Sequence, residues 1–95
     1  MTTYTQLMAT APKLDPEPPA TFKELLDADK LDVQLETDWL RGLAARVRAG
    51  EVSVDDAIDA AAMHGANRGY NAEERRNRYY SRPPLPPLQP RQVVE

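Results

Sequence analysis

The sequence has no cysteine, one histidine, one tryptophan, one phenylalanine and four glycines. The missing cysteine excludes a disulfide framework and any thiolate metal site. A single histidine, His64, excludes the usual histidine-rich transition-metal centre and leaves little from which to build a Ser-His-Asp constellation. No run of some 18 apolar residues occurs, so no membrane-spanning helix is expected. The start, Met1-Thr2-Thr3-Tyr4, lacks a basic stretch followed by an apolar one, so a secretory signal is not expected. Glycines at 42, 50, 65 and 69 match no phosphate-binding loop. With 95 residues there is room for one small domain and no large core.

Proline is absent from a long central stretch and dense on both sides of it. Its positions are 12, 16, 18 and 19, then 83, 84, 86, 87 and 90. Proline blocks helix interiors and biases its predecessor toward extended geometry. The chain therefore divides into an extended N-terminal arm (1–20), a helical domain (21–81) and a proline-rich C-terminal arm (82–95). Charge divides similarly. Residues 1–67 carry six basic and twelve acidic side chains, and residues 68–95 carry six arginines and three glutamates. An acidic middle thus meets a basic C-terminal segment, which the net charge of −3 conceals.

Four helical segments are predicted in the middle. The first opens at Thr21 with Glu24 at capping-box spacing and ends near Leu31, where Asp27, Asp29 and Asp32 oppose the helix dipole. The second, capped by Thr37 or Asp38, carries Trp39, Leu40, Leu43, Ala44 and Val47 on one stripe and stops at Gly50. The third is capped by Ser53, with Asp55 and Asp56 in its first turn, and ends near Gly65. The short link between the second and third predicts an antiparallel hairpin. Gly42, Ala45 and Ala49 share a face that suits a close interhelical crossing or a second chain packed over Gly42. The fourth runs from about Ala72 to Tyr80 behind Asn71, with Arg75, Arg78 and Arg82 on one face and almost no aliphatic residue. The fold expected is all-α: a small helical hairpin core with one or two flanking helices and extended proline-rich arms at both ends.

The helical middle is marginal by itself, so the arms are expected to order only against something else. His64, at the end of the third segment, reads as a solvated or dipole-favoured terminal residue. Asp55, Asp56 and Asp59 read as a solvated helix start. No catalytic residue, metal ligand or cofactor is expected, and no enzyme or small-molecule substrate. The best candidate partner-binding residues are Arg75, Arg76, Arg78, Tyr79, Tyr80 and Arg82, followed by Pro83, Pro84, Leu85 and Pro86. Arginine forks grip carboxylates or phosphates, tyrosines fill pockets, and a preformed polyproline rod loses little entropy on docking. Pro83 to Pro86 reads PPLP, similar to a ligand pattern of some WW domains.

The function expected is a non-catalytic accessory or structural subunit of a larger protein assembly, such as a phage virion or a bacterial enzyme complex, or of a homo-oligomer. Its location would be cytoplasmic or within a virion. Two alternatives stand beside it. One is a nucleic-acid-associated protein acting through residues 75–82, which the acidic middle disfavours. The other is an acidic regulator that occupies a basic site through Glu51, Asp55, Asp56 and Asp59.

Overall fold

Two strong N-caps and one left-handed glycine set the frame. The computed structural model describes residues 1–82. They form three helices and no strand: α1 (Tyr4–Thr10), α2 (Phe22–Arg48) and α3 (Val54–Ser81). The all-α architecture expected from the sequence is present, with a helical hairpin at its centre.

Thr21 caps α2 through a full capping box with Glu24, and Ser53 caps α3 by accepting from the Asp56 amide. Both starts lie where the sequence predicts them. Between the helices Gly50 takes φ +77°, a left-handed conformation that a Cβ would strain. The Glu51 amide donates back to the Arg46 carbonyl and closes the turn.

The number of helices differs from the prediction. The first and second predicted segments are one helix of 27 residues, and the third and fourth are one of 28. No break occurs near Asp32 because Asp29 and Asp32 are mid-helix and face arginines of α3. No break occurs at Gly65 or Gly69, which keep ordinary negative φ values. Each glycine costs about 1 kcal/mol in a helix interior, too little to end a helix held along its length. The predicted close crossing at Gly42 is also absent. That residue is exposed, and nothing lies within 4 Å of where its Cβ would be.

The apolar core is small and sits at the turn end. Leu7, Leu43, Val52 and Ala60 are buried there, flanked by Trp39 and Val47. Leu25 is buried separately near the open end.

The N-terminal arm departs from expectation at its beginning. Residues 4–10 are helical, with Thr3 and Gln6 forming a capping box and Leu7 pointing into the core. The Thr2 amide donates to the Glu51 carbonyl, which anchors this helix at the turn end. Residues 11–20 then run down the hairpin toward the open end. Pro12 meets His64, Asp15 meets Asn71 and Arg75, Glu17 meets Arg78, and Pro19 meets Arg82. From His64 to Arg82 along α3 is about 27 Å at helical rise. Seven residues from Pro12 to Pro19 reach only about 25 Å at full extension. The arm is therefore drawn out almost straight, parallel to α3, as a strap. It lies against the chain's own helices, where the sequence suggested that it needed another partner. Residues 83–95, with the expected polyproline rod and Pro83, Pro84, Leu85 and Pro86, lie outside the described residues.

Candidate functional site

Under the strap the hairpin is lined with charge. The buried polar residues are Asp32 and Glu36 on α2 and His64 and Arg75 on α3. They form two clusters along the groove that the strap closes.

The first cluster centres on Glu36. Its Oε2 lies 2.5 Å from His64 Nδ1, and its Oε1 accepts from Arg68 Nε at 2.8 Å. The other ring nitrogen of His64, Nε2, is 3.0 Å from the Pro12 carbonyl oxygen. Both ring nitrogens of His64 thus face oxygen atoms, one of a carboxylate and one of a backbone carbonyl. The ring is only 2% exposed and is held between the two. This corrects the solvated terminal role expected of it. Glu36 lies on one side of the ring, and the indole of Trp39 lies 5.2 Å away, centroid to centroid. Burial pushes the Glu36 carboxyl upward, but the hydrogen bonds and charges of His64 and Arg68 outweigh it. The net effect holds Glu36 below its ordinary range.

The second cluster centres on Arg75, 3% exposed. Nη1 donates to Asp29 Oδ1 at 2.9 Å and Nη2 to Asp32 Oδ2 at 2.8 Å. Nε and Nη2 also donate to the Asp15 carbonyl, at 3.1 and 2.8 Å. Arg76 takes the second oxygen of Asp29 at 3.0 Å. Among the described residues no buried side-chain nitrogen or oxygen lacks a partner.

The chemistry of the strap explains this arrangement. An extended segment laid on helices has no neighbouring strand to satisfy its backbone. Prolines at 12, 16, 18 and 19 remove N–H donors and leave carbonyl acceptors. Arginine offers only donors, and an imidazole ring nitrogen can donate as well. Pro12, Asp15 and Pro19 accordingly present carbonyls to His64, Arg75 and Arg82.

The arginines expected to face a partner are thus largely engaged at home. Arg75, Arg78 and Arg82 do share one face, as their spacing predicts, and that face meets α2 and the strap. Arg78 pairs with Glu74 at 2.6 Å and Glu17 at 3.2 Å. The Arg82 guanidinium lies over the Tyr79 ring, 4.8 Å from its centroid. Tyr79 is edge-on to Tyr80 and tilted against Phe22. Tyr80 is exposed. The acidic residues of the alternative reading stay near the turn, with Glu51 joined to Arg46 at 3.4 Å and Asp55 exposed in the first turn of α3.

Sequence reasoning missed Asp29, Asp32, Glu36, His64 and Arg68 as a set. The signal was present as acids at i, i+3 and i+7 on α2 and donors at 64, 68 and 75 on α3. Among the described residues, no group of three histidines or carboxylates is placed to hold a metal ion. No described helix is long and apolar enough to cross a membrane.

Beside these buried ions, many large apolar side chains lie exposed. Leu26, Leu31, Val33 and Leu35 of α2 and Val54, Ile58, Met63 and Tyr70 of α3 are all exposed. No protein-family description, curated protein or solved structure matches the chain.

Proposed function

We propose that the chain is a non-catalytic accessory or structural subunit that joins a larger protein assembly through its hairpin surface. One observation carries the reading, the exposed large apolar side chains beside four buried polar ones. An isolated small protein gains most by burying its leucines and wetting its ions. This one keeps Asp32, Glu36, His64 and Arg75 inside and Leu31, Leu35, Val33 and Ile58 outside. Such an exterior fits a surface that is covered in use. The buried ions support the same reading from another side. Each is neutralised and hydrogen-bonded, so they act as a clasp for the strap and offer no free acid, base or nucleophile.

The arginines bear on the nucleic-acid alternative. Arg75, Arg76, Arg78 and Arg82 are each bonded within the chain, which leaves few donors for phosphates.

The test is sedimentation of extracts from the cell that makes the protein. The reading expects the chain in a particle much larger than a monomer or dimer. It also expects Leu31→Glu with Leu35→Glu, both on α2's strap-side edge, to release it. A chain that sediments as a free small protein under gentle lysis refutes the reading.

A further inference from the structure

Among the described residues the strap covers one side of the hairpin, and none covers the other. On that side α2 lines up Leu26, Val33, Leu40 and Val47, each seven residues from the next, the last two half-buried against the core. Seven-residue spacing keeps them on one line of a helix. Alongside, α3 presents Ile58, Gly65, Ala72 and Tyr79, also seven apart, with Val54 near the turn. Leu26 is 41% exposed, Val33 46% and Ile58 59%. The two rows lie side by side and in register. Phe22 packs near Tyr79, Asp29 pairs with Arg75 and Arg76, and Glu36 pairs with His64 and Arg68.

Charge borders this face asymmetrically. Outside the α2 row stand Lys30, Arg41 and Arg48, all exposed. Outside the α3 row stand Asp55 and Glu73, also exposed, with Arg76 turned to Asp29. By the same register, Lys30 is level with Glu73 and Arg48 is level with Asp55. One long edge is basic and the other acidic, at matching heights.

We propose that this face pairs with the same face of a second copy, closing an antiparallel four-helix bundle about a two-fold axis parallel to the helices. That axis lays α2 over the partner's α3. Lys30 then meets the partner's Glu73, and Arg48 meets the partner's Asp55, each pair occurring twice. Large side chains also meet small ones, with Val33 and Leu40 facing the partner's Ala72 and Gly65. A two-fold axis across the helices would instead set α2 on α2 and bring basic edge against basic edge. The charges therefore choose the occupant and its orientation. The size fits as well. A face some 40 Å long and two helices wide offers on the order of 800 Å² per partner, the scale of a stable interface. The inference rests on the face itself and stands whether or not the chain also joins a larger particle.

The experiment is sedimentation equilibrium on the purified full-length chain between about 1 and 100 μM, a range in which interfaces of this size commonly associate. The expected result is twice the chain mass. Val33→Glu and Ile58→Glu, both exposed, should each give a monomer whose circular dichroism stays helical. Lys30→Glu and Glu73→Lys should each weaken the dimer by about tenfold, and combining them should restore it. A monomeric wild type throughout the range overturns the proposal. So does a dimer indifferent to Val33→Glu and Ile58→Glu, or one whose two charge reversals do not compensate.

Discussion

Removing Arg75 should detach the strap and destabilise the fold together. The substitution of choice is Arg75→Met, which keeps much of the side chain's volume and deletes its charge. Asp29 would retain Arg76 at 3.0 Å. Asp32 would retain nothing among the described residues, since its carboxylate bonds there to Arg75 Nη2 alone. Its side chain is only 11% exposed, so water replaces that bond poorly. Deleting one partner of a buried ion pair costs about 3–5 kcal/mol, and the partial exposure of Asp32 places this case near the lower end, about 3. A chain of this size loses roughly 4–8 °C of melting temperature per kcal/mol, so a fall of about 12–24 °C is expected. Urea unfolding followed by circular dichroism at fixed protein concentration measures the loss. Limited trypsin digestion should cut faster after Lys13, because the Asp15 carbonyl loses two of its three donor bonds and the strap lifts. The double variant Arg75→Met/Asp32→Leu removes the stranded carboxylate and should recover at least half of the stability. A loss below about 1 kcal/mol with strap protection unchanged would refute the reasoning, because the pair would then be no more than a solvated surface contact.

Acid should loosen the same groove from its other end. The Glu36 carboxyl is held below its ordinary 4.5, so its contribution is complete above that pH and is lost as pH falls through the lower folded value. Melting temperature measured from pH 6 to pH 2.5 should fall, and Glu36→Gln should show a shallower decline from a lower starting point. The turn should resist a side chain at Gly50. Gly50→Ala forces a Cβ into φ +77° and should cost about 1 kcal/mol, read by urea midpoint, although nothing crowds the site. Thr21→Ala removes the cap that accepts from the Glu24 amide and should cost about 1 kcal/mol, with fraying of Phe22 to Leu25 in amide exchange.

What the sequence discloses of this molecule is what short-range chemistry controls. A hydroxyl three residues before an acid marks a helix start wherever it occurs, so Thr21 and Ser53 are legible alone. Gly50 after a basic last turn is legible for the same reason. The i, i+3, i+7 spacing of Arg75, Arg78 and Arg82 places them on one face, as found, but local spacing does not say what that face meets. Asp29 and Asp32 read as a helix end because acids oppose the dipole there. They stop opposing it once an arginine more than 40 residues away neutralises them. A single histidine likewise looks solvated until Glu36, 28 residues earlier, is placed beside it. The missing step was register. A turn centred near Glu51 sets Asp29 beside about residue 73 and Glu36 beside about residue 66, within a helical turn of Arg75 and of His64 and Arg68. Applied from the start, that arithmetic would have made two mid-hairpin breaks implausible, since each would have separated an acid from the base across from it. It would also have turned the N-terminal arm, expected to order only against something else, into the acceptor strip that those bases require. A proline segment next to an arginine-rich helix should therefore be read first as a strap for the chain's own donors, and as a partner ligand only when those donors are already taken.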